Sequence, residues 1–296
     1  MNAKTTDKIA TITIYAICGI VITILSSLLL YILINGLPHI SWSFLTTPGK
    51  VLEEGGGISA QLFNSFYLLI LSLLISIPIA LGAAIYLNEY ANKNATWVQY
   101  FRIAIEVLSS LPSIVVGLFG FLLFVLKFGF GFSILSGAIA LTFFNLPILT
   151  RSIENSLAAV SNMQRQAGLA LGLSKWETIG RVVVPSAVPS IITGVVLAAG
   201  RIFGEAAALI FTAGQSAPPL NWTDWNPLNA NSPLNIMRPA ESLAVHIWKI
   251  NTEGTVPDAA AISAGASAVL IIAVLLFNLA ARYFGNKLHK KLTATR

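Results

Sequence analysis

LFNSFYLLILSLLISIPIALGAAIYL, residues 62–87, runs for 26 positions without a charge. As helix this stretch reaches ~39 Å at ~1.5 Å per residue, enough to cross the ~30 Å of hydrocarbon in a bilayer. Lipid offers no partner to loose backbone groups, so a crossing segment must be helical. Working outward from it, five further runs meet the same test, at residues 9–34, 103–126, 132–150, 188–212 and 259–284. The expected fold class is an all-α membrane protein of six transmembrane helices.

Composition agrees with this reading. Across 296 residues, 55% are hydrophobic, only 10% are charged, and mean hydropathy is +0.77, far from a soluble composition. The net charge of +6 could suit nucleic acid, but the basic residues flank apolar runs instead of clustering on a surface. Of the 18 Lys and Arg, 13 fall on the side of the termini, among them Lys4, Lys8, Lys93, Arg165, Lys175 and Arg296. Only Lys50, Lys127, Arg238 and Lys249 fall on the other side, which predicts cytoplasmic termini. The N-terminal run is too long for a signal-peptide core and lacks a small-x-small cleavage site, so it is expected to remain as a helix.

Several chemistries find no support. The single Cys18 sits in an apolar run, and His39, His246 and His289 lack partners at ligand spacing, so no metal is expected. There is no HExxH motif and no Ser-His or paired-Asp arrangement. A phosphate loop of the GxxxxGK[ST] type is also missing, so ATP hydrolysis belongs to another polypeptide and no cofactor is expected. The chain reads as residues 1–60, an N-terminal helix and external loop, residues 61–285, the main membrane domain, and residues 286–296, a basic tail. Within the membrane domain lie a long cytoplasmic loop, 151–185, and a long external loop, 213–258, where residues 243–250 with Trp248 suit an interfacial helix.

One basic residue, Arg201, falls inside an apolar run. An Arg near mid-membrane costs at least ~2.5–3.5 kcal/mol on insertion scales, so it should face a polar interior and have a partner. Glu205 follows at i+4, and Gly194, Ala198, Gly204, Ala208 and Thr212 continue the same stripe as a candidate pore wall. A guanidinium offers paired donors to an oxyanion, whereas a structural ion pair is the plainer alternative. Arg151, after Asn145 and Pro147, is a candidate exit residue or a simple positive-inside anchor. Ser109 and Ser113, around Pro112, are candidate uncharged pathway groups or packing contacts.

In the cytoplasmic loop, a helix near residues 163–171 should stop at Gly172, and Ser174 with Glu177 should cap another. This helix-turn-helix knob would present Leu169, Leu171, Leu173, Trp176 and Ile179 to a partner protein. The segment Gln166-Ala167-Gly168-Leu169-Ala170-Leu171-Gly172, followed by Val182, Val184 and Pro185, resembles the EAA loop of binding-protein-dependent ABC importer permeases of the MetI-like type. Gln166 stands where those proteins usually have Glu, and Gly168 where they usually have Ala. The segments 54–57, 84–90, 108–118 and 201–205 are similar to the PstA family of phosphate-specific permeases.

The resemblance implies a type I importer fold and phosphate import across a bacterial inner membrane. It also implies a PstC-like second permease, two copies of a PstB-like ATPase and a PstS-like binding protein. Gln166, Ala167, Gly168, Gly172, Leu173, Trp176 and Pro185 would then form the ATPase coupling element. Another oxyanion, the PstC-like role, or an ATP-independent secondary transporter using Arg201 and Glu205 are the rival readings.

Overall fold

The computed structural model describes residues 3–50, 54–92, 94–254 and 256–292; Lys93 and Arg296 of the charge reading lie outside them. Among these residues the chain is all helical, with five helices long and apolar enough to cross a membrane and a sixth candidate made of a bent pair. The long helices are α1 (Ala3–Gly36), α3 (Ser59–Ile85, extended by a π-turn Tyr86–Tyr90), α6 (Ile134–Ala158), α9 (Val184–Phe203) and α12 (Ala259–Leu292). Short α2 (Trp42–Thr46) fills the first loop.

The centre is α3 laid along α6, with α9 across both and α12 on α9. Leu68, Leu69, Leu141, Ile202 and Phe203 form one buried cluster there, and Ala80, Leu149, Ile153 and Val183 a second. Small residues set the closest crossing: a Cβ on Gly194 of α9 would fall 2.2 Å from Ser152 Oγ of α6, and the hydroxyls of Ser156 and Ser190 bond at 2.8 Å. Helix α1 is 0% buried within its span and rests on α12, where Gly36 faces Ala264 and Ala268. Its C-terminal end thus meets the N-terminal end of α12, so the two termini share a face, called here the terminal face; the opposite side is the far face.

Three expectations are corrected. The third run is not one continuous helix: α4 (Thr96–Ser109) and α5 (Ser113–Gly120, continued to Lys127) meet at 97°. Pro112 disfavours helical backbone at Leu111, while Ser109 and Ser110 turn their hydroxyls back onto Glu106 and Val107 carbonyls at 2.8 Å. The fifth run also breaks, because α9 stops at Phe203 and α10 (Ala207–Thr212) starts anew after Gly204. Residues 243–250 do not form a free surface helix: α11 (Leu243–Glu253) buries Leu243 and Ile250 against Phe44, Ile58 and Ile262 and Val245 in the cluster of Leu68 and Leu69, leaving Trp248 42% exposed. In addition, α6 passes Arg151 and continues to Ala158, two turns into the expected loop.

Candidate functional site

The knob on the terminal face is built from α7 (Asn162–Ala170) and α8 (Lys175–Thr178). Ser161 caps α7, and Gly172, at φ +82°, makes the left-handed turn that ends it. Ser174 and Glu177 form the complete capping box: Ser174 Oγ accepts from the Glu177 N–H, and the Glu177 carboxylate accepts from the Ser174 N–H at 3.0 Å. A π-turn, Ile179–Val183, leads directly into α9.

The two short helices touch through Gly168, where a Cβ would meet Thr178 Cγ2 at 2.7 Å. Gly168→Ala is expected to destabilise the knob by about 1–3 kcal/mol through overpacking. Thr178→Ala in the same chain should recover most of that loss, and protease sensitivity of the knob in membranes measures both. Of the residues expected to meet a partner, Leu169, Leu171 and Trp176 are exposed, with Leu171 at 83% and Trp176 at 66%. Gln166 and Ala167 are exposed and Leu173 is half-buried. Ile179 is a correction: it is 2% exposed and packs inward, as α8, the π-turn and α9 are one continuous helical run. Pro185 is buried, and its carbonyl, whose helical donor is removed by Pro189, lies 3.3 Å from His289 Nδ1 of α12.

Inside the bundle, Arg201 occupies the last turn of α9, and its guanidinium carbon lies 3.8 Å from the centre of the Phe144 ring on α6. The expected i+4 ion pair does not form. Glu205 is buried at 8% exposure and its Oε1 accepts the Ala208 N–H at 3.0 Å, satisfying the first turn of α10. The helix break at Gly204 is the reason, since i+4 alignment holds only within one helix. Asn145, next to Phe144, is fully buried with neither amide atom hydrogen-bonded.

Four members of the stripe read as a pore wall, Gly194, Ala198, Ala208 and Thr212, are internal packing, while Gly204 is exposed at the helix break. Ala198, Ala208 and Thr212 are buried, and Cβ atoms on Gly117 and Gly120 of α5 would fall 2.8 Å from Ala208 Cα and 2.7 Å from Thr212 Cγ2. Ser109 and Ser113 flank the 97° bend and are half-buried. Arg151, 44% exposed, pairs with Glu106 at 3.2 Å, and Arg102 with the buried Glu154 at 2.5 Å. Both pairs join α4 to α6.

The pattern described as the inner membrane component of binding-protein-dependent transport systems matches residues 76–294, the knob and its flanking helices included. The chain belongs to this family. A probable ABC transporter permease, YqgI of Bacillus subtilis, is 54% identical over 295 residues, 99% of this chain and 100% of that one. The phosphate transport system permease PstA of Haemophilus influenzae is 36% identical over 229 residues, 77% of each chain. PstA of Xylella fastidiosa is 38% identical over 179 residues, 60% of this chain and 62% of that one. Two inward-facing structures of the MetNI methionine ABC transporter align with TM-scores of 0.52 and 0.54 at 14% identity. They cover 81% and 90% of this chain and 95% and 98% of theirs, and they support the fold, that of a MetI-like type I ABC importer permease. Such permeases are multi-pass transport subunits, not enzymes, and work with a separate ATPase and a binding protein.

On the far face of the permease, the loop between α10 and α11 folds back over the bundle. It supplies the Arg238 and Ile236 carbonyls to the first N–H groups of α6, at 3.0 and 2.8 Å. Arg238 is buried and donates to Asn64 Oδ1 at 2.7 Å and to the Pro233 carbonyl at 3.0 Å. Burial draws its pKa down to about 10, against the pull of the nearby Tyr67, and the group stays charged at neutral pH. A cleft of about 680 Å³ opens on this face, walled by Pro218, Pro219 and Trp222. On its floor the buried Glu241 carboxylate accepts from Gln61 Nε2 at 3.0 Å and lies 3.2 Å from His246 Nδ1. Apart from Arg238, counted only as a flanking charge, and His246, set aside as a metal ligand, sequence reasoning gave Gln61, Asn64 and Glu241 no place; a Glu and a His five apart carry no distinctive spacing.

Proposed function

We propose that this chain is the PstA-like permease subunit of an ATP-driven importer of inorganic phosphate in a bacterial inner membrane, with its termini and knob in the cytoplasm. It would form the pathway with a PstC-like permease, be driven by two PstB-like ATPase subunits and receive substrate from a PstS-like protein. The observation that carries the reading is the exposed knob itself. A capped helix-turn-helix holds Leu171 and Trp176 out of the bundle while joined without a break to the helix that bears Arg201. Apolar groups so displayed serve a protein partner, and that continuity gives the partner mechanical access to the membrane interior.

Phosphate is supported by the PstA relatives and by chemistry. Arg201, stacked on Phe144, is a cation without an acid at ion-pair distance among the described residues, and Asn145, which follows Phe144 on α6, is buried without a partner. A planar guanidinium is suited to two oxygens of one anion. Arg151, Ser109 and Ser113 are placed by this reading at the cytoplasmic end of the route, and Glu205 near its centre. Gln166, Ala167, Gly168, Gly172, Leu173, Trp176 and Pro185 form or support the docking element.

The test is uptake in vesicles containing the reconstituted complex, with phosphate, sulfate and molybdate offered separately. ATP-dependent accumulation of phosphate at least about tenfold above the other two is expected. Equal or greater uptake of another oxyanion would replace the substrate assignment, and uptake without ATP would replace the mechanism.

A further inference from the structure

The knob is tied to the second span by one buried guanidinium that the reading above does not use. Arg165 of α7 donates through Nη2 and Nε to Glu89 Oε1 at 2.8 and 3.1 Å, where Glu89 belongs to the π-turn that ends α3. The same guanidinium donates to the Leu157 carbonyl at 2.7 Å and to the Val160 carbonyl, both at the unwound end of α6. The two side chains are only 17% and 8% exposed. Beside them, Lys175 of α8 lies 4.5 Å over the ring of Tyr90, the last residue of the same π-turn.

We propose that Arg165 and Glu89 form the linkage through which movement of the knob reaches the second span. This rests on the proposed function, in which an ATPase moves the knob. Charge alone would not place an ion pair here, because burying both partners costs several kcal/mol each and a well-packed apolar pair is often as stable. What the pair supplies is a directional tie among three elements, α7, α6 and the end of α3.

The receiving end is built to yield. A π-turn is a loose helical register, and Pro78, two turns further into the same helix, removes a backbone bond and gives a bend point. Helix α3 then packs against α6 and α9, the helices that carry Phe144 and Arg201. A pull on Arg165 therefore arrives at the helix flanking the anion route, separately from the direct path through α8 into α9.

The experiment compares Glu89→Gln, Arg165→Gln and the double variant in the full complex, reconstituted with its ATPase, second permease and binding protein. Phosphate accumulated per ATP hydrolysed and the amount of ATPase retained are both measured. Each single variant is expected to keep its ATPase and hydrolyse ATP while uptake per ATP falls about tenfold. The double variant should fall no further, since both changes cut one tie. Arg165→Lys keeps the charge but not the fork of donors, and should lie between wild type and Arg165→Gln.

An unchanged ratio in the single variants, multiplying losses in the double, or release of the ATPase by Glu89→Gln would overturn the linkage and leave a structural staple. A wild-type complex that takes up anion without ATP would instead overturn the proposed function, and the linkage with it.

Discussion

Leu171→Asp combined with Trp176→Asp is expected to strip the ATPase from the permease and reduce uptake to background. Both side chains point into solvent, at 83% and 66% exposure, so neither change disturbs the bundle. Burying a Leu or a Trp against a partner is worth about 1.5–3 kcal/mol each, and Trp is enriched among residues that dominate interfaces. Losing both, and adding two charges to a desolvated groove, removes about 4–6 kcal/mol, a thousandfold or more in affinity. Co-purification of the ATPase and initial uptake rate measure it, with the permease level in membranes as control. Retained ATPase at normal permease levels would mean that the knob is an ordinary polar-side loop.

Arg201→Ala is the second large effect. The guanidinium is held against Phe144 at 3.8 Å, while the carboxylate expected to neutralise it is committed to the start of α10. A hydrogen bond to a charged group contributes about 1.5–3 kcal/mol, so losing this donor should slow phosphate uptake roughly 10- to 150-fold. The ATPase should remain bound, since Arg201 lies in the last turn of α9, far along the chain from the knob. Arg201→Lys should recover only part, as a point charge does not reproduce the fork. A structural cation predicts the reverse order: failed assembly with Ala, and near-normal uptake in whatever assembles.

These two sites differ in how far the chain alone exposed them. The knob was legible because its signals are local: Gly172 permits the left-handed turn, and Ser174 meets Glu177 within one helical turn. Long apolar runs were legible for the same reason, lipid being an undemanding solvent that asks only for length and continuity. The bend at Pro112 was hinted at by its serines and proline, but its 97° angle depends on what α4 meets, namely Glu154 of α6 waiting for Arg102.

Arg201 and Glu205 were misjudged as a pair because Arg-Ile-Phe-Gly-Glu reads as ordinary helix. The break appears only once a carboxylate three residues before Ala208 is seen to bond its backbone N–H. The tie between Glu89 and Arg165 spans 76 positions and leaves no periodic trace at all. Small residues in α9 and α10 were read as lining space, whereas Gly194 lets α6 approach α9 and Ala208 and Thr212 lie against the glycines of α5.

The contact between His289 and the Pro185 carbonyl has a practical side. It brings the tail of the polypeptide to the base of the element that an ATPase must grip. Under the proposed docking role, a bulky group carried near His289 on α12 would crowd that grip and be mistaken for a defect in the engine. A handle is better carried by α1, which stands at the rim of the bundle with its span 0% buried.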